Sequence, residues 1–205
     1  MGKYWEIWFK PKETIRKIVD HGPNSHLLFL SSVTGFILLC NLFQLFSITL
    51  RLSFPLAVLM LLLISPIMGY LYLSGVSIIL TAVGTFMRGK GKFKEIRCAL
   101  AWSSIPLIIP GLSWVFLLIY FGKDLFSHFP GAYPLSHGKI FLVLGVTLIQ
   151  WAFSLWSMIL YIFGLSEVQG YSIIRALVNT LIACMSVILI FLILSIFIFY
   201  LWGRA

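Results

Sequence analysis

The sequence predicts an all-α, polytopic integral membrane protein, with five transmembrane helices preceded by an amphipathic helix at the membrane surface. Three observations carry that prediction. From Phe54 to Met87 the chain runs without one charged residue, a stretch too long and apolar for a soluble element and long enough to cross ~30 Å of hydrocarbon. Five cations then arrive within ten positions, Arg88, Lys90, Lys92, Lys94 and Arg97, as expected at the cytoplasmic end of a span. Over the whole chain 60% of residues are hydrophobic and 10% charged, against about 25% charged in a soluble domain.

Residues 1–26 read as a cytoplasmic membrane-surface segment and residues 27–205 as one transmembrane domain. In the first, Trp5, Trp8 and Phe9, then Ile15, Ile18 and Val19, recur at helical spacing, while Lys3, Lys10, Lys12, Arg16 and Lys17 take the other faces. Aromatics on one side and cations on the other suit a helix lying among the headgroups, supported by Glu13 and Lys17 at i,i+4. Gly22-Pro23-Asn24 ends it. No cleavable signal peptide is expected, because this segment lacks an apolar core and a small-residue cleavage site.

The spans are expected at about 27–50, 54–87, 96–121, 140–163 and 171–202. As one helix the second would be ~50 Å long. Pro55 and Pro66 offer either a kink or a short segment before the true span; one long, tilted or kinked helix is the preferred reading, with two segments left open. Its later half carries Ser74, Ser77, Thr81 and Thr85, a small-residue stripe of the kind that packs helices in membranes. The third span is interrupted by Ser103-Ser104-Ile105-Pro106 and again by Pro110-Gly111. An outer loop from Gly122 to Lys139 and an inner loop from Gly164 to Gly170 flank the fourth span. The fifth has a second small stripe, Ala176, Thr180 and Cys184. Tyr200 and Trp202 fit an aromatic belt at the outer interface.

Cation placement sets the orientation. The amino-terminal segment and the loop after the second span hold five each, the first outer connection has Arg51 alone, the second has Lys123 and Lys139, and the tail has Arg204. Five spans with the amino terminus cytoplasmic and the carboxyl terminus outside satisfy the positive-inside rule at every connection. In a prokaryote this places the protein in the inner membrane. The net charge of +9 then reflects topology and anionic phospholipid, and no nucleic-acid partner is expected because no folded reading platform accompanies the basic stretches.

Several chemistries find no support. Cys40, Cys98 and Cys184 are far apart and lack metal spacing. Asp124, His128 and His137 share the outer loop without a zinc pattern. Arg88-Gly-Lys-Gly-Lys92 lacks the spacing and terminal hydroxyl of a phosphate-binding loop. No nucleophile–base pair, carboxylate pair or cofactor motif appears, so neither an enzyme nor a cofactor is expected.

Three groups of candidate residues remain. Arg88, Lys90, Lys92, Lys94 and Arg97, with Lys12, Arg16 and Lys17, are candidates for contact with anionic lipid or a protein partner. Glu167, Gln169 and Arg175 form a polar group at the inner loop, read as a Glu167–Arg175 pair that pins it. Asn41, Gln44, Ser103, Ser104, Pro106, Gln150 and Asn179 interrupt otherwise apolar spans. Such groups either bond between helices or, where a helix is broken, line a transport path for ions, small solutes or lipid.

Three segments carry a resemblance when taken together. They are Trp8-Phe-Lys-Pro-Lys-Glu-Thr-Ile-Arg-Lys-Ile18, Phe93-Lys-Glu-Ile-Arg-Cys-Ala-Leu-Ala-Trp-Ser-Ser-Ile-Pro106 and Trp156-Ser-Met-Ile-Leu-Tyr-Ile-Phe-Gly-Leu-Ser-Glu-Val-Gln-Gly-Tyr-Ser172. In order and spacing the chain resembles the Yip family, the Ypt/Rab-GTPase-interacting membrane proteins, in its prokaryotic branch. The resemblance implies five spans with a cytoplasmic amino terminus, in agreement with the charge count. Eukaryotic members are associated with Rab-type GTPases and vesicle traffic. The expected function is therefore non-enzymatic: organising membrane, or binding membrane or cytoplasmic protein partners, through the basic face. A transporter built around the broken third span is the alternative. Whether the two small-residue stripes are satisfied within one chain or in a homo-oligomer is left open by the sequence.

Overall fold

The computed structural model describes residues 6–22, 24, 26–126 and 137–202. It consists of helices: α1 Pro11–His21, α2 Leu27–Leu45, α3 Phe54–Phe86, α4 Phe93–Ser103, α5 Ile108–Phe121, α6 His137–Gln169 and α7 Ile173–Trp202. There is no strand among the described residues. α4 and α5 form one broken span, so five helical stretches are long and apolar enough to cross a membrane.

The tightest packing in the bundle is between α2 and α3. Ser31 and Gly35 on α2 face Ser65 and Gly69 on α3. A β-carbon on Gly35 would land inside the Ser65 carbonyl oxygen, and one on Gly69 inside that of Ser31. Small residues four apart on both helices let the backbones touch, which replaces the hydrophobic driving force that lipid cannot supply. Two apolar clusters fill the rest. Leu39, Cys40, Phe43, Ala57, Leu61, Trp114, Leu117 and Phe126 pack at the end away from the basic loop. Residues of α1, α3, α4, α6 and α7, with the first turn of α2, pack at the basic end.

Several boundaries differ from expectation for identifiable reasons. α2 stops at Leu45, and a 3-10 turn at Ile48–Leu50 follows Ser47, whose backbone is left-handed at φ 46°. α3 is one continuous 33-residue helix through Pro66. The third span breaks at Ser104, where a 3-10 turn at Ile105–Leu107 holds Pro106. Pro110 and Gly111 lie inside α5 and do not break it. Residues 164–169, expected as loop, are the last turns of α6. Gly164 does not end the helix because it is buried, with Ile15 and Ala99 packed where its side chain would be. His128 in the outer loop, and the side chains of Tyr200 and Trp202, fall outside the described residues.

The amino-terminal segment docks on the bundle rather than lying free of it. Ile15 and Val19 of α1 are buried, and Trp8 stacks on Trp156 at 6.4 Å and meets Phe153 edge-on at 6.3 Å. Phe9 points away, 89% exposed, so the aromatic face expected of this segment is divided. Trp5 lies outside the described residues. Among the described residues the ion pair on α1 is Arg16–Asp20 at 3.4 Å rather than Glu13–Lys17. The expected packing stripes are also partial. Ser77 and Ala176 are fully buried, whereas Thr85 and Cys184 are exposed.

Candidate functional site

At the basic end the loop between α3 and α4 is fixed by residues far away in sequence. α3 ends in a Schellman cap, the Gly89 amide bonding the Gly84 carbonyl at 2.8 Å and the Arg88 amide that of Thr85 at 3.1 Å. Arg88 takes the left-handed position, φ 62°, which glycine occupies at least cost. α6 ends in the same motif, with Gly170 at φ 69° and the Tyr171 amide bonding the Ser166 carbonyl at 2.9 Å.

The two capped ends are clamped together. The Lys90 amide donates to the Gln169 carbonyl at 3.0 Å, the Gly91 amide to Gln169 Oε1 at 3.2 Å, and the Tyr171 hydroxyl to the Gly84 carbonyl at 2.6 Å. A β-carbon on Gly84 or Gly89 would collide with the end of the Gln169 side chain, so a larger residue at either position would displace the group that makes the clamp. Burial raises the Tyr171 phenol above the ordinary tyrosine value, partly offset by the Gly89 backbone and the Arg175 charge. It therefore keeps its proton, and its donor role, at neutral pH.

Arg88, Lys90, Lys92 and Lys94 project from this clamped loop and its continuation into α4, all exposed, and Arg16 and Lys17 are exposed on α1, with Lys12 half-buried. Arg97 is not part of that exposed set. It is 6% exposed and donates to the Tyr70 hydroxyl at 2.8 Å and Asn24 Oδ1 at 3.1 Å. Its guanidinium lies 5.1 Å from the ring centres of both Tyr70 and Phe93. Arg97 thereby ties the linker before α2 to α3 and α4. Glu167 and Arg175 form no ion pair; among the described residues Arg16–Asp20 is the one salt bridge. Of that polar group, Gln169 holds the loop.

Midway along the bundle, α2, α3, the broken span, α6 and α7 enclose a cleft of about 470 Å³. Asn41, Ser103 and Ser104 line it; Gln44, Pro106, Gln150 and Asn179 do not. Gln150 instead donates to Ser113 at 2.9 Å, joining α6 to α5. Asn179 is fully buried with neither amide atom hydrogen-bonded. At the break, the Ser157 hydroxyl donates to the Ser103 carbonyl at 2.8 Å, which satisfies backbone that the interrupted helix leaves open. The seven polar candidates therefore do not converge on one path. Replacing Gln150 by leucine should accordingly cost at most about 1 kcal/mol, since interhelical side-chain bonds in membranes average ~0.6 kcal/mol; thermal unfolding in detergent measures it.

A family model described as the Yip1 domain matches residues 5–198. The chain belongs to the Yip family. The match takes in the clamped loop, the cleft and α1 of this Yip protein, as well as all three segments that carried the resemblance. Comparison with curated proteins and with solved structures gave no significant match to either. Other residues important to the Yip bundle were not evident beforehand. Tyr171 and Tyr70 reach partners 87 and 27 positions away, separations that no local pattern announces. Ser154, Ser157 and Tyr161 line the cleft, and their spacing of three and four on an apolar helix was a readable signal.

Proposed function

We propose that this Yip protein is a non-enzymatic membrane organiser that holds anionic phospholipid against its cytoplasmic face and recruits partners there. The orientation is the one its cations favour, with the amino terminus cytoplasmic and the carboxyl terminus outside. The observation that carries the reading is the clamped basic loop. A flexible cationic tail would serve for topology alone, whereas this loop is held by Gln169 and Tyr171. Fixing the charges in advance removes part of the ordering cost of binding. The left-handed Arg88 adds to this: a strained non-glycine residue persists where something other than local stability requires it.

Each cation near an anionic surface is worth ~1 kcal/mol. Replacing Lys90, Lys92 and Lys94 together by glutamine should therefore abolish the preference for phosphatidylglycerol over phosphatidylcholine, read by native mass spectrometry of protein released from mixed nanodiscs. An unchanged preference overturns the proposal. A second variant separates charge from fold. Arg88→Gly relieves the left-handed strain and should raise stability by about 1 kcal/mol while weakening phosphatidylglycerol retention. A stability gain with full retention would count against the role given to Arg88.

A further inference from the structure

The cleft midway along the bundle is separate from the basic face. On the α7 side it is not sealed by buried side chains: beyond Ala183, no side chain described on α7 is buried. Its volume, about 470 Å³, falls within the range of small-molecule sites. Most of its wall is aliphatic, and none of its lining residues is Asp, Glu, Lys, Arg or His. A charge brought into it would have no partner.

The rest of the wall is polar but neutral. Tyr161 and Thr180 bond each other at 3.1 Å, and Ser157 is engaged with the Ser103 carbonyl. Asn41 is exposed into this region. Its Nδ2 is taken by the Ile37 carbonyl at 2.7 Å, leaving Oδ1 as an acceptor. Tyr72 and Ser154 add exposed hydroxyls. Such groups are expensive against bare hydrocarbon. Tyr72 and Ser154 sit near the middle of α3 and α6, with Asn41 about one turn from the end of α2, so a phospholipid held at the interface by its headgroup can offer Tyr72 and Ser154 only its tails.

We propose that the cleft binds an uncharged glycerolipid of the diacylglycerol class, its free hydroxyl and ester oxygens meeting Asn41, Tyr72 and Ser154 while an acyl chain follows the aliphatic wall. Such a lipid lacks the charged group that holds a phospholipid at the interface, so its polar atoms can descend to the depth of these side chains.

The test uses the full chain in phosphatidylcholine nanodiscs with two photoreactive probes, a diacylglycerol and a phosphatidylcholine bearing the same diazirine acyl chain. Cross-linked peptides are mapped by mass spectrometry. The diacylglycerol probe should label residues 154–161 and 180–187 several-fold more than the phosphatidylcholine probe. Unlabelled diacylglycerol should compete. Val76→Trp, which fills the cleft, should remove the difference, and Ile188→Trp on the exposed face of α7 should not. Ser154→Leu, a change at an exposed position, serves as the second variant if Val76→Trp does not fold, and should likewise reduce the difference. Equal labelling by both probes, or labelling indifferent to a folded cleft variant, overturns the proposal.

Discussion

Replacing Gly69 by leucine should leave no folded protein. The obstacle is backbone: the carbonyl of Ser31 already occupies the space of the new β-carbon, and a carbonyl held in a helix cannot swing aside as a side-chain tip can. α2 and α3 would have to separate along their whole contact. Overpacking typically costs about 1–3 kcal/mol, occasionally more, and this case belongs at or beyond the upper end. Gly35→Leu should behave alike, because the same seam is blocked from the other side by Ser65. The measurement is monodispersity and thermal unfolding in detergent. Gly75→Leu is the control, since a β-carbon there meets nothing within 4 Å. A folded Gly69→Leu protein with a melting temperature near that of the control would show that the seam is not essential.

Gln169→Met is the second large effect, and it is local. Methionine keeps most of the buried volume but offers no oxygen to the Gly91 amide. A buried donor left unsatisfied costs about 1–3 kcal/mol. The value here falls in the lower part of that range, because Gln169 Nε2 is itself buried without a partner and the substitution removes that penalty too. The Lys90 amide keeps its bond to the main-chain carbonyl of residue 169. Hydrogen exchange should therefore quicken at Gly91 by about tenfold per 1.4 kcal/mol, with little change at α2 and α3. Uniform acceleration across the bundle would mean that Gln169 supports the whole fold and not the loop.

What the sequence made legible divides along a physical line. Span positions followed from hydropathy and charge, because a bilayer penalises a misplaced cation wherever the rest of the chain lies. Pro66 and Gly164 were harder. Each breaks or permits a helix according to its neighbours, and Ile15, which packs against Gly164, comes from the other end of the chain. The α2–α3 seam is written in the sequence as Ser31-x-x-x-Gly35 and Ser65-x-x-x-Gly69, but the longer hydroxyl stripe Ser74–Thr85 is the more conspicuous pattern, and of its members only Ser77 is buried. Arg97 was grouped with its cationic neighbours by position, whereas its helical register turns it inward onto Tyr70. Of the inner-loop group, Glu167 and Arg175 drew notice for opposite charge, yet the neutral Gln169 forms the clamp. The pairing of residue 91 with 169 depends on how α3, α4 and α6 assemble, and nothing near either residue signals it.

The seam and the clamp also differ in when they can form. Every atom of the α2–α3 contact lies within residues 27–86, so this hairpin can close while the remainder of the chain is still being made. The basic loop must wait for Gln169 and Tyr171, roughly eighty residues later in synthesis. Until then the loop has only its local bonds, the cap at Gly84–Gly89 and the Lys92–Glu95 contact. The charges that the positive-inside rule reads are thus complete before the last two helices exist, and the residues that clamp their loop arrive with those helices.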